Sequence, residues 1–210
     1  MIDRPLDGPH TALLLFDVLN GHLKTGPDRT IAAEFAPAVA NMGLLISAAR
    51  GAGSAIVYAA GAHRPDDALQ PHTITDTDNR LRPRSGRAVS RQPVHGGEWT
   101  GQVVDELAPR PEDFVVPKFR WSAFVGTYLD MALRVRGIGT IVLVGGSTDV
   151  GVAATAFSAR DLDYDLVVAR DACTAHEMDN HEQFMRRIFP RMARVRDTAQ
   201  VVAMLPAKGA

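Results

Sequence analysis

The chain has 210 residues, 46% of them apolar and 22% charged, with a formal net charge of −1. That composition suits a soluble globular domain and excludes a disordered chain, and it offers no charge for nucleic acid or an anionic membrane surface. No apolar run approaches the roughly 20 residues that span a bilayer, the first ten residues lack the apolar segment of a signal peptide, and one cysteine excludes an intrachain disulfide or a cysteine zinc cluster. We expect one domain over residues 1–210, in the cytoplasm.

Thr11 to Phe16 (TALLLF) is an unbroken apolar run, the pattern of a strand buried on both faces, and it ends at Asp17. A carboxylate there is costly to bury unpaired, so it either caps the following V-L-N-G-H turn or serves a site. Ile31 to Gly51 carries Phe35, Val39, Met42, Leu45 and Ile46 at helical spacing, and Ser54 to Ala60 is the next strand. The segment from His63 to Gly97 is rich in Pro, Gly, Arg and Asp, a composition for a functional loop or an interface. Its three histidines, His63, His72 and His95, are too dispersed to read as a metal set, and no cofactor is implied. Glu98 to Leu107 reads as a short helix, Asp113 to Val116 as a strand ending near Lys118, and Leu129 to Val135 as a helix.

Thr140 to Val144 is another buried-strand run, broken by Gly145-Gly146-Ser147-Thr148-Asp149. A helical pattern starts at Val150 and closes at Asp163. Strand, tight polar turn and helix lift a residue into the crevice at the carboxyl end of a parallel sheet. They also aim helix N–H groups at whatever binds there. Leu166 to Ala169 is a further strand, Asp179 to Phe189 a helix and Ala193 to Arg196 a last strand. Thr198 is placed to cap a closing helix, Ala199 to Leu205. The alternation predicts a three-layer α/β domain around a mostly parallel, Rossmann-like sheet.

The stretch GGSTDVGVAATAFSARDLDYDLVVARDAC closely resembles the signature of the isochorismatase-like (cysteine hydrolase) superfamily. Thr148, Asp149, Val152, Thr155, Ala156, Ala159, Asp171, Ala172 and Cys173 fit its pattern. So do Asp17-Val18-Leu19-Asn20 at the end of the first strand and the block from Lys118 to Phe124. The resemblance runs from about Thr11 to Leu205. It implies an isochorismatase-like fold, a catalytic Asp17 and Lys118, and backbone donors at Ser147 and Gly151. It also implies a cis peptide at Gly146–Ser147 and assembly as a homodimer or homotetramer.

One position departs from the pattern. Where most of the family has its nucleophilic cysteine, this chain has Gly151. Isochorismatases proper cleave a vinyl ether, and several of them carry glycine there. The resemblance therefore implies a hydrolase acting on a small molecule by water attack, with an Asp17/Lys118 acid–base dyad. The alternatives are an inactive homologue that binds a small ligand, or an amidase whose cysteine has been replaced. Phe16, Leu19, Tyr58, Trp121 and Phe124 are the expected pocket walls, suited to a small, partly apolar substrate.

Overall fold

The computed structural model describes residues 3–66 and 94–205. Its strands are β1 (Thr11–Phe16), a short hairpin of β2 (Lys24–Thr25) and β3 (Thr30–Ile31), β4 (Ala55–Gly61), β5 (Phe114–Lys118), β6 (Thr140–Gly146), β7 (Asp165–Thr174) and β8 (Arg194–Arg196). Its helices are α1 (Asn20–Leu23), α2 (Ala36–Gly51), α3 (Leu129–Val135), α4 (Ala153–Asp161), α5 (Met178–Gln183) and α6 (Thr198–Met204). Apart from the hairpin, the strands form one sheet in the order β5-β4-β1-β6-β7-β8. Every neighbouring pair in it is parallel.

The side chains of β1 alternate between two cores. Leu13 and Leu15 pack with Val39, Met42 and Leu45 of α2 and with Val201 and Met204 of α6. Ala12, Leu14 and Phe16 pack with Leu129 and Leu133 of α3 and with Ala156 and Ala159 of α4. A strand covered on both faces by helices has no polar face to show, which is why TALLLF is apolar throughout. The result is the expected three-layer α/β fold. The chain fills the sheet in one direction through β1, β4 and β5, then returns to add β6, β7 and β8 on the other side. That reversal, between β1 and β6, opens a crevice at the carboxyl ends of the strands. Among the described residues no helix is long and apolar enough to cross a membrane.

Several boundaries differ from the sequence reading. The stretch 98–107 is two single 3-10 turns, Trp99–Gly101 and Asp105–Leu107, with no continuous helix. Its backbone is claimed elsewhere: Asn20 N–H donates to Gln102, and Val104 N–H donates to Val18. Helix α2 begins at Ala36, because Ile31 belongs to the hairpin and Pro37 fixes the first helical turn. The predicted helix from Asp179 starts at Met178, widens to a π turn at Phe184–Ile188 and ends in a tight turn at Phe189–Arg191. Pro190 within that last turn has no N–H to continue a ladder. Thr198 is the first residue of α6, and the cap is Asp197, in a reciprocal capping box with Gln200. The strand expected over 166–169 runs through Thr174 and so includes Asp171, Ala172 and Cys173. The bulk of the segment after His63, residues 67–93 with His72, lies outside the described residues, and so does any test of its role as a loop or interface.

Candidate active site

Asp17 is the first residue beyond β1. Its φ of +49° is a left-handed conformation, and its N–H donates to Ala59 at 2.9 Å. This bend swings the carboxylate over the end of β4, where Oδ1 accepts the Gly61 N–H at 2.8 Å. Lys118, the last residue of β5, is paired in register with Gly61. Strand β4 lies between β1 and β5, so the lysine must reach across it. It does so, and Nζ stands 2.7 Å from Asp17 Oδ2, with both side chains largely withdrawn from solvent. A Cβ on Gly61 would stand 3.3 Å from Asp17 Oδ1, so the glycine lets the carboxylate lie close over the end of β4. The ammonium also lies 4.2 Å from the centre of the Phe16 ring, a cation–π contact. His22 Nε2 approaches Asp17 Oδ2 at 4.0 Å.

The opposite wall is the turn after β6. Gly145 has φ +111°, and a Cβ on it would fall 2.2 Å from the Phe16 carbonyl oxygen, so only glycine fits. The Gly146–Ser147 peptide is cis. Residues Thr148–Val152 form a π turn that leads into α4. Helix α5 straps this turn down. Asp149 accepts Ser147 Oγ–H at 2.6 Å on one oxygen and the Asn180 amide at 2.7 Å on the other. The Thr148 hydroxyl donates to Thr174 O at 3.0 Å and meets His181 Nδ1 at 2.9 Å. A hydroxyl has one proton to give, so His181 is the donor in the second contact. Burial lowers the pKa of His181 below its ordinary value. The two remaining motif blocks meet on α4, where Thr155 Oγ1 accepts the Ala123 N–H at 3.0 Å and Ser122 donates to Ser158 at 2.8 Å.

Between the two walls lies a cavity of about 170 Å³. Of the residues singled out in the sequence, Phe16, Asp17, Lys118, Trp121, Ser147 and Gly151 line it. Leu19, Tyr58 and Phe124 do not. Leu19 is fully buried in a small cluster with Ala60 and Val94. Tyr58 points to the other face of the sheet and donates its hydroxyl to Leu107 O at 2.8 Å, and burial pushes its pKa up to about 12. Phe124 stacks on Tyr164 in the second core, with ring centres 5.7 Å apart.

The sequence reading missed His22, Phe35, His63, Arg120 and His176 as cavity-lining residues. His22 was in view within V-L-N-G-H, but nothing in the spacing said that α1 turns back over the cavity. The lone Cys173 is buried in β7, and burial pushes its thiol pKa up to about 12. Among the described residues no three His, Cys, Asp or Glu side chains converge as a metal set.

Residues 11–200 match the isochorismatase domain family. The chain is 43% identical over 99 residues to an uncharacterized isochorismatase family protein, YecD, of Escherichia coli O157:H7, a match spanning 47% of this chain and 53% of that one. It is 34% identical over 178 residues to the ureidoacrylate amidohydrolase RutB of Pantoea ananatis, spanning 77% of this chain and 68% of that protein. The match thus spans about half the length of the first relative and about two thirds of the second. Among solved structures, an isochorismatase family protein from Burkholderia thailandensis superposes with a TM-score of 0.79 at 31% identity, covering 97% of this chain and 99% of that one. With nine-tenths of its length inside the domain match and a close superposition on a solved family member, the chain belongs to the isochorismatase family.

Proposed function

We propose that the chain hydrolyses a small anionic molecule by direct attack of water, with Asp17 and Lys118 as the proton-handling pair. The observation that carries this reading is the 2.7 Å contact between Lys118 Nζ and Asp17 Oδ2 at a cavity wall where Gly151 offers no side chain. A proton can move along that contact, so the pair can give one and take one back within a cycle. On a vinyl ether, the pair delivers a proton to the terminal enol carbon. Water then adds to the oxocarbenium carbon and its proton returns to Asp17. The hemiketal so formed collapses to a ketone and an alcohol. The cavity is about 170 Å³, room for a small substrate, and the Lys118 and Arg120 side chains in its lining suit an anion.

A second substrate class has its own support. The relative from Pantoea ananatis is named a ureidoacrylate amidohydrolase. For a ureido acid the same pair would act as base, taking a proton from water as it attacks the carbonyl, and would return that proton to the leaving nitrogen, so that ammonia departs and the attacked carbon remains in a carbamate. Incubation with enol-pyruvyl ethers and with ureido acids, following ketone and ammonia release separately, tells the two apart. Asp17→Asn and Lys118→Ala should each lower kcat/KM by about 10²- to 10⁴-fold on the true substrate. An Asp17→Asn variant as active as the wild type would end the reading.

A further inference from the structure

Phe16 lines the site beside both Lys118 and Gly151. A Cβ built on Gly151 would lie 2.0 Å from Phe16 Cε1, 2.4 Å from Cζ and 3.0 Å from Cδ1. Carbon atoms in good contact stand about 3.5–4.0 Å apart, so not even an alanine fits at 151 while the ring keeps its place. A ring displaced from this place would turn into the cavity that it lines. Phe16 is 2% exposed, and its backbone is fixed on both sides, in register with Ala59 of β4 and Gly145 of β6. Beside the ring stands the Lys118 ammonium at 4.2 Å, itself held by Asp17 at 2.7 Å. Gly151, Phe16, Lys118 and Asp17 are therefore one chain of contacts.

We propose that Phe16 and Gly151 form a single packing unit that closes this site to any side-chain nucleophile at position 151, and that changing both residues together reopens it. The inference rests on the reading of Asp17 and Lys118 as the reacting pair, and it deepens that reading. The bare Cα at 151 makes room for the ring, and the ring positions the ammonium. Phe16 is thus a positioning residue that commits the pair to water. A cysteine introduced at 151 alone has no place for its sulfur beside the dyad. With Phe16 cut back to alanine, the vacated ring volume lies between Gly151 and Lys118 and would hold a thiol next to a cation, an environment that lowers a thiol pKa.

The test uses the full chain in a Cys173→Ala background, so that only the introduced thiol reports. Gly151→Cys alone and Phe16→Ala/Gly151→Cys are treated with iodoacetamide at neutral pH. The thiolate sulfur displaces iodide, and mass spectrometry counts one added carbamidomethyl group. The double variant should alkylate at least about tenfold faster than the single one, the direction expected of a more thiolate-like, more accessible sulfur. Equal rates in two folded variants would overturn the proposal, as would a folded double variant with an inert thiol.

Thermal melting of Gly151→Ala and Phe16→Ala/Gly151→Ala covers the case in which Gly151→Cys does not fold. Phe16→Ala should lower Tm by less in the Gly151→Ala background than in the wild type. An equal loss in both backgrounds would show that the ring is not what the Cβ meets. Neither readout depends on turnover. A failure to find hydrolysis in the wild type would remove the catalytic reading and leave the packing unit standing, and the reverse also holds.

Discussion

Asp17 and Lys118 stabilise one another only as a pair. Their side chains are 13% and 6% exposed, and removing one partner leaves the other charge with little water to fall back on. Lys118→Met removes the ammonium and leaves the Gly61 N–H on the Asp17 carboxylate at 2.8 Å, and should cost about 3–5 kcal/mol of stability. The double variant Asp17→Asn/Lys118→Met removes both charges and should recover most of that loss. Urea denaturation of the three proteins checks this, and a cost below about 1 kcal/mol for the single variant would show an ion pair that is effectively solvated. Each member was legible through the family resemblance, because a charge that ends a strand run is by itself equally a turn cap or a rim charge. Gly61 was not. Its N–H holds the Asp17 carboxylate at 2.8 Å, and that meeting can be foreseen only once β4 is known to lie beside β1.

The turn after β6 and helix α5 form the next unit. The turn was legible because Gly145, Gly146, Ser147 and Asp149 follow a buried strand; the strap that holds it was not. Its bonds join Asp149 to Asn180 and Thr148 to His181, residues some thirty positions apart whose meeting depends on how α5 packs. The strap carries a pH dependence. An unfolded chain protonates His181 near its ordinary value of 6.5, whereas burial holds the folded value lower. Between the two values the unfolded state binds more protons, so stability rises with pH. The contribution is complete above 6.5 and is lost as pH falls toward the folded value. Wild-type protein should therefore lose more of its urea midpoint between pH 7.5 and 5.5 than His181→Gln does, since the other histidines are common to both. Parallel pH profiles would show that His181 takes up its proton as easily folded as unfolded.

At the scale of the molecule, the strand runs were readable because the sheet is covered on both faces, which erases alternation and leaves β1, β6 and the first half of β7 as blocks of apolar residues. What closes the sheet at its far edge was not readable, because it is made by residues 3–7, a stretch with no periodicity. The Asp3 carboxylate takes two hydrogen bonds from Arg196 of β8, at 2.6 and 2.7 Å, and the Arg4 carbonyl accepts one from Arg194 at 3.2 Å. The Leu6 N–H donates to Met204 O at 2.7 Å, and its side chain, 4% exposed, enters the core under α2 and α6. The segment therefore holds the edge strand by charge and the last helix by burial, and the two contributions are of unequal size. The Asp3–Arg196 pair is a quarter exposed on each side and screened by water, so Asp3→Ala should cost little. Leu6→Ala removes a buried leucine from a packed layer and should cost about 2–5 kcal/mol. Deleting residues 1–7 should cost at least as much as Leu6→Ala, and should speed amide exchange in α6 and β8 while leaving β1, β4 and β6 at the rate of global unfolding. Urea denaturation with hydrogen exchange checks both. If Leu6→Ala lies within about 0.5 kcal/mol of wild type, as surface substitutions usually do, then the strap is held by its ion pair, and α6 closes the sheet without it.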